Sequence, residues 1–257
     1  MRKYTYNEQF FKTINTTRKA YWLGFILGDG NVYSGTHSHL LIKLQHRDEN
    51  HLQKFLKDIN ATYPIRQVRA GAGSFAPNNL YSQIQINGKK IVTDLIKYGI
   101  VPRKSLKTYF PKQIQEKFKR HFIRGVFDAD GCFHTRPSQG NGFVSVVAFT
   151  GNKILLLEIQ KILIQKCKLN KTQLIEAPEG TSWRLSYSGS LQTKRILDYL
   201  YKGSTVYLDR KYQHYYNVFP VKTKKQIIEE NWDNFIKRLW GDNFNYINVH
   251  NFLRDVG

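Results

Sequence analysis

Apolar residues recur along this chain with two different periods, and the switch between them maps its elements. Trp22, Leu23, Phe25, Ile26 and Leu27 crowd one helical stretch, and Ile123, Val126 and Phe127 crowd another. Each is followed by a short polar strand (31–34; 132–136), a Gly-containing turn and a second strand (39–45; 143–150). In the strand 39–45, Leu40, Ile42 and Leu44 alternate with His39, Lys43 and Gln45, the period of a sheet with one buried face. Leu52, Phe55, Leu56 and Ile59 then mark an amphipathic helix, as Ile159, Ile162 and Leu163 do later. Two more strands (65–69 and 81–86) flank the stretch AGAGSFAPNN, whose composition predicts an exposed hairpin tip; their counterparts are 172–175 and 183–188. Helices over 89–98 and 191–201 close each set, and an Arg-Lys pair follows each, Arg103-Lys104 and Arg210-Lys211.

The order is therefore a repeat. Residues 22–30 read WLGFILGDG and residues 123–131 read IRGVFDADG, with Gly24 and Gly125 separated by 101 positions. The simplest account is α+β: two pseudo-symmetric αββαββα half-domains, 1–110 and 111–219, joined near Pro111, with a helical tail over 220–257. In that tail Trp232, Phe235, Ile236 and Leu239 have amphipathic spacing. Its cations, Lys222, Lys224, Lys225, Lys237 and Arg238, either extend a binding footprint or form a solvated face.

Within each repeated nonamer the small residues lie four apart, Gly24 with Gly28 and Gly125 with Ala129, so each pair shares a helix face. Glycine inside a helix costs about 0.5–1 kcal/mol relative to Ala, which calls for a packing reason. Two such faces can bring helix backbones together, and both helices are expected to stop at Gly30 and Gly131. The one acid present in both copies, Asp29 and Asp130, sits at the carboxyl end of its helix, where the macrodipole already disfavours negative charge. Pairing the two ends adds about 3 kcal/mol of repulsion for unit charges ~5 Å apart at an effective dielectric of ~20. Hard divalent cations relieve such a site. Asp128 has Leu27 opposite it in the other copy, and is read as an interface or solvent residue.

Charge names the partner class. Forty Lys+Arg against 19 Asp+Glu give +21, an excess that a polyanion relieves, and nucleic acid is the first candidate. No apolar run approaches the ~20 residues of a spanning helix. No secretion signal opens the chain, and two cysteines build neither a disulfide framework nor a zinc site, so a soluble intracellular protein is expected. Clustered tyrosines such as Tyr212, Tyr215 and Tyr216 either stack on bases or fill core, with core the usual outcome at helical spacing. His250-Asn251 resembles an intein end, but Phe252 supplies no nucleophile, and a free-standing protein is expected.

The two nonamers resemble the motifs of the LAGLIDADG homing endonuclease family in its single-chain, two-motif form, over roughly residues 16–219. Trp22, Leu27 and Arg124 depart from the family pattern. The resemblance implies a monomeric enzyme that cuts both strands of a long, asymmetric DNA target, leaves short 3′ overhangs and promotes intron or intervening-sequence mobility. It implies divalent metal, Mg²⁺ with Mn²⁺ or Ca²⁺ able to replace it in binding, held by Asp29 and Asp130 with the carbonyls of Gly28 and Ala129. Lys104 and Lys211 match a peripheral active-site lysine, with phosphate-backbone binding as the plainer role. Gln45 matches a water-positioning residue, and Thr150 or Asn152 is its counterpart. Strand alternation adds a reading surface: Tyr33, His37, His39, Lys43, Arg66, Gln67, Arg69, Gln83 and Gln85 in the first half. His134, Arg136, Ser138, Arg184 and Ser186 extend it in the second. A maturase acting on its own intron RNA and a catalytically silent DNA-binding regulator are the competing readings.

Overall fold

A computed structural model describes residues 3–71, 78–102, 108–138, 143–178, 180 and 182–220. Met1–Tyr215 forms one compact unit and Tyr216–Gly257 a second. Lys104, the middle of the loop after Ala70, and everything predicted for the tail beyond Pro220 lie outside the described residues.

Helix α1 (Thr17–Asp29) begins where the Thr16 side chain accepts the Lys19 N–H at 3.2 Å, and ends with the Gly30 N–H returning to the Ile26 carbonyl. The chain runs straight into β1 (Gly30–Tyr33), β2 (His39–Gln45), a 3₁₀ turn (His46–Asp48), α2 (Glu49–Asp58), β3 (Arg66–Arg69), β4 (Leu80–Asn87) and α3 (Lys89–Lys97). The second pass is α4 (Glu116–Asp130), β5 (Cys132–Pro137), β6 (Phe143–Gly151), α5 (Lys153–Cys167), β7 (Ile175–Glu176), β8 (Trp183–Ser188) and α6 (Ser190–Tyr201). A further helix, α7 (Asp209–Val218), was not predicted; its sequence DRKYQHYYNV has too few aliphatic residues to show a stripe.

Each half holds a four-stranded antiparallel sheet, ordered β1-β2-β4-β3 and β5-β6-β8-β7. The two registers superpose the halves. Ile42 pairs with Ile84 in the first sheet and Phe149 with Leu185 in the second, which also aligns Gly88 with Gly189 at the starts of α3 and α6. The strand predicted over 172–175 is shorter and later, only Ile175–Glu176, because Leu174 turns into the core instead of continuing an alternation.

Where the halves meet, α1 crosses α4. A Cβ built on Gly24 would lie 2.0 Å from the Phe122 carbonyl oxygen, and one on Gly125 would lie 2.0 Å from the Tyr21 carbonyl oxygen. No side chain fits there; the two helices touch backbone to backbone. Around that crossing Ala20 to Leu27 and His121 to Asp128 are all buried. Trp22 does not break the pattern: its ring packs on Phe55 and its Nε1–H donates to Asp58 at 2.7 Å.

Candidate nucleic-acid cleavage site

The crossing sets the position of both acids. One turn past Gly24, a Cβ built on Gly28 would stand 2.4 Å from the Ala129 Cβ and 2.7 Å from Asp130 Oδ2. The second acid thus abuts the backbone of the first motif, one residue before Asp29. Asp29 is half-buried and Asp130 exposed, so both helix ends open to solvent at the seam. A cleft of about 230 Å³ beside them is lined by Gly28, Thr108, Asp130, Thr150, Asn152 and Ser182, among others. Among the described residues no three His, Cys, Asp or Glu side chains gather as a metal-holding group. A cation at this place would take one or two carboxylates and complete its shell from carbonyls, water and phosphate, the donor set that suits Mg²⁺.

Behind the second acid lies a buried polar cluster that sequence reasoning did not find. Asp128 is fully enclosed rather than solvated, and it accepts hydrogen bonds from Tyr21 Oη at 2.7 Å, Leu208 N at 2.8 Å and Tyr201 Oη. Burial pushes its carboxyl above the usual range. Because the single Tyr21 hydroxyl proton goes to Asp128, His51 Nε2, 2.9 Å away, must donate to that oxygen. Burial, with Lys54 and Arg210 nearby, lowers the His51 pKa to about 3 and so keeps the ring neutral. Arg124, the large residue in motif two, is wholly buried as well: Nε donates to Val206 O at 3.0 Å, and Nη1 to Leu200 O and His121 Nδ1, both at 2.9 Å. Motif one has Leu27 where Asp128 stands, so this cluster exists on one side only.

Lys211 sits differently from its expected placement. It is 8% exposed, and its ammonium donates to the carbonyls of Phe127 (2.6 Å), Asp128 (2.8 Å) and Gly131 (2.6 Å). An ammonium has three protons, and all three are committed. Lys211 is a cap on the carboxyl end of α4, set against the helix dipole that disfavours Asp130. Burial lowers its pKa to about 8, against the raising pull of Asp128, Asp29 and Asp130. Arg210 beside it is bound to Asp48 at 3.0 and 3.1 Å, which ties α7 to the turn after β2.

Gln45 is exposed at the end of β2. Register settles its counterpart: Ile42 aligns with Phe149, so Gln45 aligns with Asn152, and Thr150 aligns with Lys43. Asn152 also caps α5, its Oδ1 accepting the Ile154 N–H at 2.9 Å.

The outer faces of the sheets divide the proposed readers. Tyr33, His39, Lys43, Gln83, Gln85 and Arg66 share the face of the first sheet opposite Leu40, Ile42, Ile84 and Ile86, with His37 in the adjoining turn. His134, Arg136, Arg184 and Ser186 share the matching face of the second, and exposed Ser138 follows β5. Gln67 and Arg69 do not belong: they pair with Ser82 and Leu80, on the helix-covered side, and Gln67 contacts Glu49. Strand β3 alternates, so Arg66 outward requires Gln67 and Arg69 inward. Of the clustered tyrosines, Tyr215 is buried and Tyr212 is stacked on Tyr207 at 3.8 Å, while Tyr216 is exposed.

Two four-stranded antiparallel sheets beside a glycine-packed helix pair, with an acid at each helix end, find a counterpart among known proteins. The model of the LAGLIDADG-like domain matches residues 117–200. The chain's fold is that of the LAGLIDADG meganucleases. I-SmaMI bound to uncleaveable DNA with a TTGT central four is 13% identical, covers 88% of this chain and 96% of that one, and superposes with a TM-score of 0.52. I-SmaMI bound to cleaved DNA is 12% identical over 90% and 98% of the two chains, again with a TM-score of 0.52. Full-length DUF199/WhiA from Thermatoga maritima is 14% identical over 93% and 80%, with a TM-score of 0.49. No curated protein matches the sequence. At such identities the likeness is one of fold. Residues 117–200 begin in α4 and end in α6, so they contain the LAGLIDADG helix with Asp130 and the second sheet. Helix α1 lies outside the matched residues; it is the counterpart of α4 by their backbone contact and by the register that superposes the sheets. No helix of the described residues is long and apolar enough to cross a membrane.

Proposed function

We propose that this chain is a site-specific endonuclease that hydrolyses one phosphodiester on each strand of a long, asymmetric DNA duplex. The observation that carries the reading is Asp130 Oδ2 lying against the Gly28 backbone. It supports two acids, one from each repeat, meeting where two strands of one duplex can reach them. The halves 1–110 and 111–219 then act as a monomer, each supplying a sheet and an acid, with 220–257 as an appended tail. Cleavage across the minor groove leaves short 3′ overhangs, and a break at one long site promotes mobility of an intron or intervening sequence.

Asp29 and Asp130 would hold the divalent ions, with the Gly28 and Ala129 carbonyls as further oxygen donors. The ions would supply a lowered pKa for the attacking water and charge neutralisation at the phosphate and the leaving 3′ oxygen. The protein's own share is positional. Gln45 and Asn152 are equivalent amide side chains from the two sheets, suited to orienting water. Lys211 keeps the end of α4 closed against its dipole, and Lys104 is proposed for the same lysine position in the first half. The outer residues of the sheets read base edges by hydrogen bonding, and their difference between halves requires an asymmetric target. A silent regulator has no use for two acids kept at a repulsive junction.

Cleavage selection from a randomised duplex library in Mg²⁺ tests the reading. A single long asymmetric site cut on both strands, dependent on Mg²⁺, is expected. Sequence-specific binding without cutting would establish the regulator instead, and preference for structured RNA over duplex DNA would establish the maturase.

A further inference from the structure

On the outer face of the first sheet, the Lys43 ammonium rests 4.5 Å from the centroid of the Tyr81 ring. The pair is diagonal. Directly opposite Lys43 on β4 is Gln83, while Tyr81 stands opposite Gln45. Tyr81 also pairs with Val68 of β3, so its half-buried ring is fixed between two strands. Lys43 is exposed. Of the exposed cations on this face, it is held by a ring that its own strand does not supply.

We infer that Tyr81 is a specificity-determining positioning residue, which steers Lys43 toward Gln45 and so fixes which base pair that lysine reads. The inference rests on the DNA-reading role proposed above for this face. A cation over an aromatic face keeps its N–H donors available to an acceptor such as guanine O6 or N7. Two strand residues span about 7 Å, and base pairs are stacked about 3.4 Å apart. A lysine drawn from its own register toward that of Gln45 therefore contacts the duplex up to about two base pairs nearer the cleavage point than its backbone position implies. A side chain already resting on the ring has fewer rotamers to surrender when DNA arrives, which sharpens discrimination between competing bases. The second half has no such pair: the equivalents of Lys43 and Tyr81 are Thr150 and Ser182. The device belongs to one half-site.

The test is a binding selection from a randomised duplex library, run in parallel with the wild type, Tyr81→Leu, Tyr81→Phe and Lys43→Met, with thermal melting to show that each is folded. Wild type and Tyr81→Phe should share one preference profile. Tyr81→Leu should lose about two- to fivefold discrimination, the range expected of an exposed cation–π contact, at the same few positions that Lys43→Met affects. Unchanged discrimination in Tyr81→Leu overturns the inference, as does a Lys43→Met effect that is uniform over all sequences and lowers the salt slope by about one, the mark of a phosphate contact. A wild type with no base preference removes the DNA-reading role first, and this inference with it.

Discussion

Replacing Gly125 by Ala adds one methyl group where the structure has none to spare. The new Cβ would meet Tyr21 O at 2.0 Å, Phe25 N at 2.6 Å and Gly24 C at 3.0 Å, all backbone atoms of α1. A side chain could rotate away, but a helix backbone cannot. The two helices must separate by more than 1 Å at their crossing to restore ordinary contact, about the distance over which dispersion contacts are largely lost. Overpacking of this kind costs about 1–3 kcal/mol and occasionally more, and the better helix propensity of Ala returns about 0.5–1 kcal/mol. A net loss of about 1–2 kcal/mol is expected, which lowers the melting temperature by about 2–8 °C for a domain of this size. The same separation carries Asp130 away from Gly28, so cutting should fall more steeply than stability. Thermal melting of Gly125→Ala beside Gly71→Ala provides the measurement, since a Cβ on Gly71 meets nothing within 4 Å. Equal melting temperatures for the two variants would refute a backbone-to-backbone seam.

The buried cluster yields a pH dependence. His51 is held neutral with a pKa of about 3 against an ordinary 6.5, so the unfolded chain binds the extra proton between those values. Stability from this group is complete above pH 6.5 and lost as pH falls toward 3, while Asp128, whose carboxyl is pushed up by burial, acts in the opposite sense above its ordinary 3.8. Melting curves from pH 7 to 4 should therefore fall more steeply in the wild type than in His51→Phe, and parallel curves would count against a buried neutral His51. Lys211→Met leaves three carbonyls at the end of α4 without their donor, and an unsatisfied buried acceptor costs about 1–3 kcal/mol. It should melt lower even without DNA and metal, and slow nicking of the strand served by Asp130. An unchanged melting temperature with slowed cutting would return Lys211 to a role at the phosphate.

The parts of this fold that local pattern can express were legible in the chain. Glycines four apart predict a close helix pair, and Leu40, Ile42 and Leu44 predict a buried sheet face, because a residue's own neighbours in sequence determine both. What was missed depends on neighbours far along the chain. Asp128 could be read as an interface or solvent residue from Leu27 opposite it, but the network of Tyr21, Tyr201 and Leu208 that encloses it comes from three separate segments. Lys211 looks like a surface cation until α7 turns it under α4. Gln67 and Arg69 look like readers in a basic strand, and only the pairing with Ser82 and Leu80 sends them to the other side. The choice between Thr150 and Asn152 likewise needed register, since β5 and β6 pair over six positions before their turn and β1 and β2 over only four.

Strand-resolved cleavage by Asp29→Asn and Asp130→Asn, with duplex binding measured on the same preparations, bears most directly on the paired acids. Each variant should bind the selected target as the wild type does and fail to make a double-strand break. Complete cutting of both strands by either one would contradict the account.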